Sequence, residues 1–348
     1  MLREGMRRMW QRLRHVSYDP GEALPVMAPQ VAAEVGTMPY RRLGSTGVLV
    51  SEVGFGAWAL GGAAYGAVDR QNTLRALARA EELGCNTVDT AMVYGDSEMV
   101  LGEFLRGRRS RWIVATKYSY QPAGLTAVLE QQLARLGTDV IDFYQLHALP
   151  KDPAVYDELC GLKRSGKVRF VGVSLYSAGD IDRVIDQGTL DGVQVPFSLL
   201  DPDPFLRRAA RLRRSGVAVL VRSALREGFL TGKFRRDAIF SDPSDQRHRW
   251  STGRIAATVD EAECFRFLEA SSGSMTRGAV AYALSFPEVS TVLVGTKTLA
   301  QAEINFGQIP GARLDAADLR RILAVQEELD CSGRRTPRGV IRRLLGRN

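Results

Sequence analysis

The 348-residue sequence predicts an α/β protein folded as a closed (β/α)8 barrel. Three observations carry this. Eight short apolar runs alternate with eight helix-like stretches, and strands that alternate with helices pair in parallel. Glycines stand where the helix-like stretches give way to the next run. A barrel of eight such units takes about 250 residues, so the chain is long enough for one barrel with extensions.

The elements follow in order. Tyr40 to Gly47 and Val48 to Val53 read as an N-terminal hairpin around a Ser45-Thr46-Gly47 turn. Barrel strands are expected near 52–56, 86–89, 112–116, 142–146, 168–173, 192–195, 217–221 and 290–294. Helices are expected over 70–84, 97–107, 124–136, 154–165, 178–187, 204–215, 275–285 and 299–307. Gly84, Gly137, Gly166 and Gly216 fall at helix C-termini, which need a left-handed residue. Residues 228–257 read as a long polar loop after the seventh strand, expected to serve as an active-site flap or cofactor clasp. An extra C-terminal helix over 316–329 is expected to pack outside the barrel.

The barrel is expected to span 38–332. Residues 1–37 read as an appended, linker-like extension with a basic start, either solvated or a short amphipathic helix. They lack the apolar core and small-residue cleavage site of a secretory signal. The formal net charge is +8, but residues 333–348 alone carry six Arg and no acid. Residues 1–37 carry five Arg against four acids, so the barrel itself is close to neutral. The basic balance thus belongs mostly to a C-terminal tail, and no nucleic acid partner is expected. No apolar run approaches the roughly 18 residues of a membrane span. Four scattered Cys without a CxxC pair read as reduced thiols in a cytoplasmic protein, and three His form no zinc-type cluster. The oligomeric state is left open.

Four polar residues lie at or just past the ends of successive strands: Asp89, Tyr94, Lys117 and His147. Singly, each has an ordinary reading as a capping acid, a rim aromatic or a strand-end residue. Jointly they project from the one barrel face where sites form. A cation near a phenol lowers its pKa, and a carboxylate beside that cation holds it charged. A His there can hydrogen-bond a substrate oxygen. Such a set suits proton transfer, with Tyr94 as general acid. The Gly54-to-Ala59 run loosely matches a dinucleotide fingerprint, but Gly61, Gly62 and Gly66 interrupt any following helix and no acid follows at the right distance.

From Tyr40 to Leu329 the chain resembles the aldo-keto reductases, TIM-barrel oxidoreductases, through YRRLGSTGVLVSEVGFG, VDT…YG, ATK, DFYQLH, GVS, VQVPF and VGTK…QAEIN. The resemblance implies Asp89, Tyr94, Lys117 and His147 as the catalytic tetrad and NADPH as cofactor, with NADH as the competing nucleotide. It implies a small carbonyl substrate, reduced or formed by hydride transfer, and substrate contacts from Trp58, Tyr94 and His147. Cofactor contacts are implied for Gly56, Ala57, Asp89, Ser174, Gln194, Arg222, Ser223, Gly295, Thr296, Lys297, Gln301, Glu303 and Asn305. Lys297 and the helix start that follows it fall where the family meets the 2′-phosphate. The chain departs from the pattern at Leu175, where an Asn is usual, and at Arg222, where an aromatic often stacks on the nicotinamide; Phe197 is the substitute contact considered. Tyr65 and Tyr118 are further rim aromatics. The alternative reading is a nucleotide-binding regulatory module on the same fold.

Overall fold

The computed structural model describes residues 38–330 except residues 63 and 177; the extension and the tail lie outside the described residues. A hairpin of β1 (Tyr40–Arg42) and β2 (Leu49–Ser51) comes first, antiparallel with Tyr40 opposite Ser51. Eight parallel strands then close into a barrel. These are β3 (Val53–Gly56), β4 (Thr87–Asp89), β5 (Ile113–Tyr118), β6 (Ile141–Leu146), β7 (Val168–Ser174), β8 (Gly192–Pro196), β9 (Ala218–Arg222) and β10 (Thr291–Gly295), with β10 pairing both β9 and β3.

Helices α1 (Arg70–Glu82), α2 (Ser97–Leu105), α3 (Leu125–Leu136), α4 (Ala154–Arg164) and α5 (Ala178–Gln187) match the expected spans. The expected helix over 204–215 is two pieces, α6 (Asp203–Leu206) and α7 (Ala209–Ser215). The connection after β9 is not the plain loop expected. It holds short helical turns at Arg226–Thr231 and Gln246–Arg249, and then α8 (Thr252–Glu263), capped by the Ser251 side chain accepting from Arg254 N. α9 (Leu268–Ser272) was not expected, whereas α10 (Met275–Leu284) was. The expected helix over 299–307 is a single turn, α11 (Leu299–Ala302), that widens into a π-helical turn over Glu303–Gln308. The extra helix α12 (Ala316–Asp330) follows.

Strand alternation sorts the barrel interior into layers. β5 turns Ile113, Ala115 and Lys117 inward, and β6 turns Phe143 and Gln145 inward. The lower layer is apolar: Ile113, Ala115, Phe143, Ala218, Leu220 and Leu293, plugged from below by Leu43 and Val50 of the hairpin. Phe143 fills the middle because β7 and β8 carry glycine there. A Cβ on Gly172 would stand 2.4 Å from Phe143 Cζ. Burying these side chains supplies about 25 cal/mol per Å² of apolar area. It also leaves the upper, C-terminal layer as the place where polar side chains meet.

Candidate active site

The floor of the mouth is a closed set of bonds around Asp89. Its Oδ2 accepts from Lys117 Nζ at 2.5 Å, and its Oδ1 accepts from Gln145 Nε2 and Gln194 Nε2, both at 2.8 Å. Lys117 is fully buried. Its ammonium also donates to Thr90 O at 2.8 Å and Tyr94 Oη at 3.3 Å, so three protons meet three acceptors. Burial works against that charge, but Asp89 and then Tyr94 outweigh it and hold the pKa above its ordinary value. The register sets this up: β5 and β6 pair Lys117 beside Gln145, and β7 and β8 pair Ser174 beside Gln194.

Tyr94 stands on the turn after β4. Its N–H donates to Ala91 O at 3.0 Å, and Ser97 N donates to Tyr94 O at 3.1 Å. Gly56 and Gly61 of the 54–66 run have local packing duties in this structure. A Cβ on Gly61 would lie 1.6 Å from Tyr94 O, and one on Gly56 would lie 3.2 Å from the Val294 carbonyl carbon. Gly61 therefore lets the β3 loop close onto the Tyr94 turn. The Tyr94 ring lies 5.8 Å from His147 in an edge contact and 6.0 Å from Trp58. The phenol pKa is not lowered on balance, as a nearby cation alone would make it. Burial pushes it up, and the pull of Lys117 offsets only part of this. At neutral pH the hydroxyl keeps its proton.

His147 follows β6 directly, and its N–H donates to Tyr118 O at 2.9 Å. Burial first, then the Lys117 charge, lowers its pKa to about 4, so the ring is neutral. Its Nδ1 lies 2.7 Å from Ser119 Oγ.

The remaining candidates divide. Arg222 stacks over Tyr176 at 4.6 Å, donates to Leu175 O at 3.3 Å and leaves a buried Nε unbonded; Ser223 beside it is held at φ 58°. Gln194 spends its amide N–H groups on Asp89 and Gln145, and both Asp89 oxygens are engaged within the floor. Ser174 and Ala57 are buried at their strand ends. Past β10, Asn305 donates to Thr296 Oγ1 at 2.8 Å and to Gly295 O, and Gln301 Oε1 accepts from Lys297 N. Those contacts build the turn itself. Glu303 pairs with Arg79 of α1 at 2.7 Å. Phe197, considered as an apolar substitute at the mouth, packs instead against Phe205, Tyr282 and Phe286 in the core, because it shares the outer face of its strand with Val193 and Val195, opposite the inward Gln194. Tyr118 is buried, its hydroxyl donating to Gln121 O, and the exposed rim aromatics are Trp58, Tyr120 and Tyr176.

The long connection after β9 is tied to the loop that follows β3. Gln246 N donates to Ala64 O at 3.0 Å, Gln246 Nε2 donates to Tyr65 Oη at 3.0 Å, and Lys297 Nζ donates to Tyr65 O at 2.7 Å. Lys233 joins this group. Partial burial, then Arg247 and Lys297, lower its pKa, and it has no carboxylate partner among the described residues. Asp245 pairs with Arg247 at 2.5 Å, while Lys233 and Lys297 make no ion pair among the described residues; with the unbonded Arg222 Nε these ammoniums form a donor set that fits a phosphate-bearing nucleotide. Gln145, Thr90, Ser119 and Lys233 were not singled out in the sequence. Counting by twos from Phe143 along β6 would have turned Gln145 inward. A hollow of about 710 Å³ at the opposite end, lined by Arg41, Arg213 and Glu288 among others, is remote from this chemistry.

A buried Asp–Lys pair beneath a tyrosine hydroxyl and a neutral imidazole, at the C-terminal mouth of a (β/α)8 barrel, is an arrangement able to pass a proton. The model of the Aldo/keto reductase family matches residues 52–327, and the chain belongs to that family. It is 30% identical to an aldo-keto reductase of Strobilurus tenacellus over 86% of this chain and 96% of that one. It is 27% identical to the NADH-specific methylglyoxal reductase of Escherichia coli K12, over 83% and 98%. The solved glycerol dehydrogenase of Gluconobacter oxydans superposes with a TM-score of 0.72 at 26% identity, covering 86% of this chain and 98% of that one. The chain is thus a nicotinamide-dependent oxidoreductase acting between carbonyl and alcohol groups. Among the described residues, no helix is long and apolar enough to cross a membrane.

Proposed function

We propose that this protein reduces a small aldehyde, ketone or sugar-like carbonyl with NADPH, or runs the reverse oxidation, with Tyr94 as general acid. The carrying observation is the Lys117 ammonium 3.3 Å from Tyr94 Oη and 2.5 Å from Asp89. When bound, the reduced nicotinamide supplies the hydride for the carbonyl carbon. The Tyr94 hydroxyl gives its proton to the carbonyl oxygen as negative charge builds there. Lys117 stabilises the phenolate left behind, and Asp89 keeps Lys117 charged and in place. His147, being neutral, offers an N–H to the same oxygen. In the oxidative direction Tyr94 takes the proton back.

Lys297 and Lys233 would meet the nucleotide phosphates, with Arg222 and Ser223 nearer the ring. The preference for NADPH rests on Lys297, and the NADH-specific relative marks the competing outcome. Trp58, Tyr94 and His147 would line the substrate side. The relatives that act on methylglyoxal and on glycerol favour a small polar substrate. The free thiols of Cys85, Cys160 and Cys264 accord with a cytoplasmic setting.

Tyr94→Phe tests the reading. It should bind nucleotide as the wild type does and lose about 10²–10⁴-fold in turnover, the usual contribution of a general acid. Wild-type turnover on an aldehyde and ketone panel would remove Tyr94 from the role.

A further inference from the structure

We propose that Ser119 is a positioning residue that fixes the tautomer of His147, donating its hydroxyl proton to Nδ1 so that the ring carries its own proton on Nε2, toward the mouth. The proposal rests on the site reading above for its catalytic meaning, though the tautomer is a property of the protein alone.

The geometry points to it in three steps. Ser119 Oγ lies 2.7 Å from His147 Nδ1, a short contact for a hydroxyl and an imidazole. A neutral imidazole has one N–H and one lone pair, and its partner decides which nitrogen holds which. Ser119 Oγ has no other hydrogen bond among the described residues. If Nδ1 were the donor, the serine proton would be left without a protein acceptor, and an Nε2 lone pair would face the mouth. If serine donates, both groups are satisfied and Nε2–H is free for an incoming oxygen.

The surroundings make this bond matter. The ring feels the charges of Lys117 and Arg222, which add to burial in disfavouring its protonation, while Asp89 opposes them. The ring is therefore neutral, and the partner of Nδ1 decides which nitrogen keeps the proton. Two local ties hold Ser119 beside Nδ1. Its N–H contacts Met92 Sδ at 3.4 Å, and the neighbouring Tyr118 carbonyl accepts from His147 N at 2.9 Å.

The chain has three His, so His147 can be assigned in ¹⁵N-histidine-labelled full-length protein by its absence in His147→Gln. Long-range ¹H–¹⁵N spectra at pH 7 should show wild-type His147 protonated on Nε2. Ser119→Ala should shift both nitrogens toward a tautomer average and lower kcat about tenfold with little change in KM. Ser119→Thr, which keeps the hydroxyl, should restore both. An Nδ1–H tautomer in the wild type overturns the proposal, as does a Ser119→Ala spectrum identical to the wild type. A protein with the expected spectra and no turnover on any carbonyl would support the tautomer and sink the functional reading instead.

Discussion

Asp89→Asn is the sharpest perturbation of the floor, because it removes one charge while keeping the shape. Three N–H groups, from Lys117, Gln145 and Gln194, converge on the carboxylate. A carboxamide offers one acceptor oxygen and two N–H groups, so at least one donor loses its partner. Lys117 then remains fully buried with only Thr90 O and Tyr94 Oη. Stranding one partner of a buried pair costs about 3–5 kcal/mol, a large part of the 5–15 kcal/mol typical of a domain. In the wild type, Asp89 holds the Lys117 pKa above 10.5, so the pair's stabilisation is present below that value and lost only in strong alkali. In the variant only Tyr94 still opposes burial, and the folded-state pKa drops below 10.5. The variant must then recover stability as pH rises from neutral toward that value, since the folded state wants Lys117 neutral. Urea unfolding of both proteins at pH 7 and at about pH 9.5 reads this directly. The expected result is a gap of about 3–5 kcal/mol at pH 7 that narrows as the pH rises. A gap that stays constant or widens would refute the account of Lys117 as a buried ammonium held charged by Asp89.

Three further outcomes are expected of the same fold. His147 is held down to about 4 from 6.5, so the unfolded chain binds the extra proton first; stability should be complete above pH 6.5 and fall by up to about 3 kcal/mol toward pH 4, less where solvent screens the ring, a loss absent in His147→Gln by thermal melts across that range. Gly61→Ala forces a Cβ to within 1.6 Å of Tyr94 O and should lower both stability, by roughly 1–3 kcal/mol, and turnover, while Gly253→Ala, with nothing within 4 Å, serves as the control and should melt no lower than the wild type. Lys297→Ala should raise the NADPH dissociation constant about 5- to 30-fold and leave NADH nearly unchanged, as fluorescence titration would show; equal wild-type affinities for the two nucleotides would move the assignment to NADH.

The strands were legible because each barrel strand is an apolar run bounded by glycine or polar residues, and runs buried on both faces leave that mark. The tetrad was legible for a related reason: a barrel brings strand ends together, so linear spacing translates into spatial company. Other features depend on facts that no local pattern carries. The π turn at Glu303–Gln308 shifts the helical phase, so a period of 3.6 runs straight through it. α8 has a signal in Ser251, but Gly253 and the branched Thr258 and Val259 weaken it, and only Ile255, Val259 and Ala262 are buried beneath it. The role of Gly61 is invisible because what meets it, Tyr94 O, comes from another loop. Phe197 misled because its place at a strand end was weighed without the alternation, which from an inward Gln194 turns Val193, Val195 and Phe197 to the outer face.

The least legible quantity was the balance on Tyr94. From sequence, a lysine beside the phenol implies a lowered pKa. In the folded protein burial outweighs it, and the phenol rests protonated. The two statements describe different moments of the proposed reaction. A general acid must hold its proton until a base appears, and in reduction that base is the carbonyl oxygen as it gains negative charge. Burial keeps the proton on Tyr94 in the resting site, where an early phenolate would be useless as an acid. Lys117 acts when the proton leaves, because its attraction is for the phenolate and is strongest in a site closed to water. An interaction of that kind is larger in the transition state than in the ground state, which is what raises a rate and not merely an affinity. The fixed ammonium, saturated by Asp89, Thr90 and Tyr94, is already oriented before the charge develops. That pre-orientation is why the Asp89 floor, which touches no substrate in this reading, should matter as much to turnover as to stability.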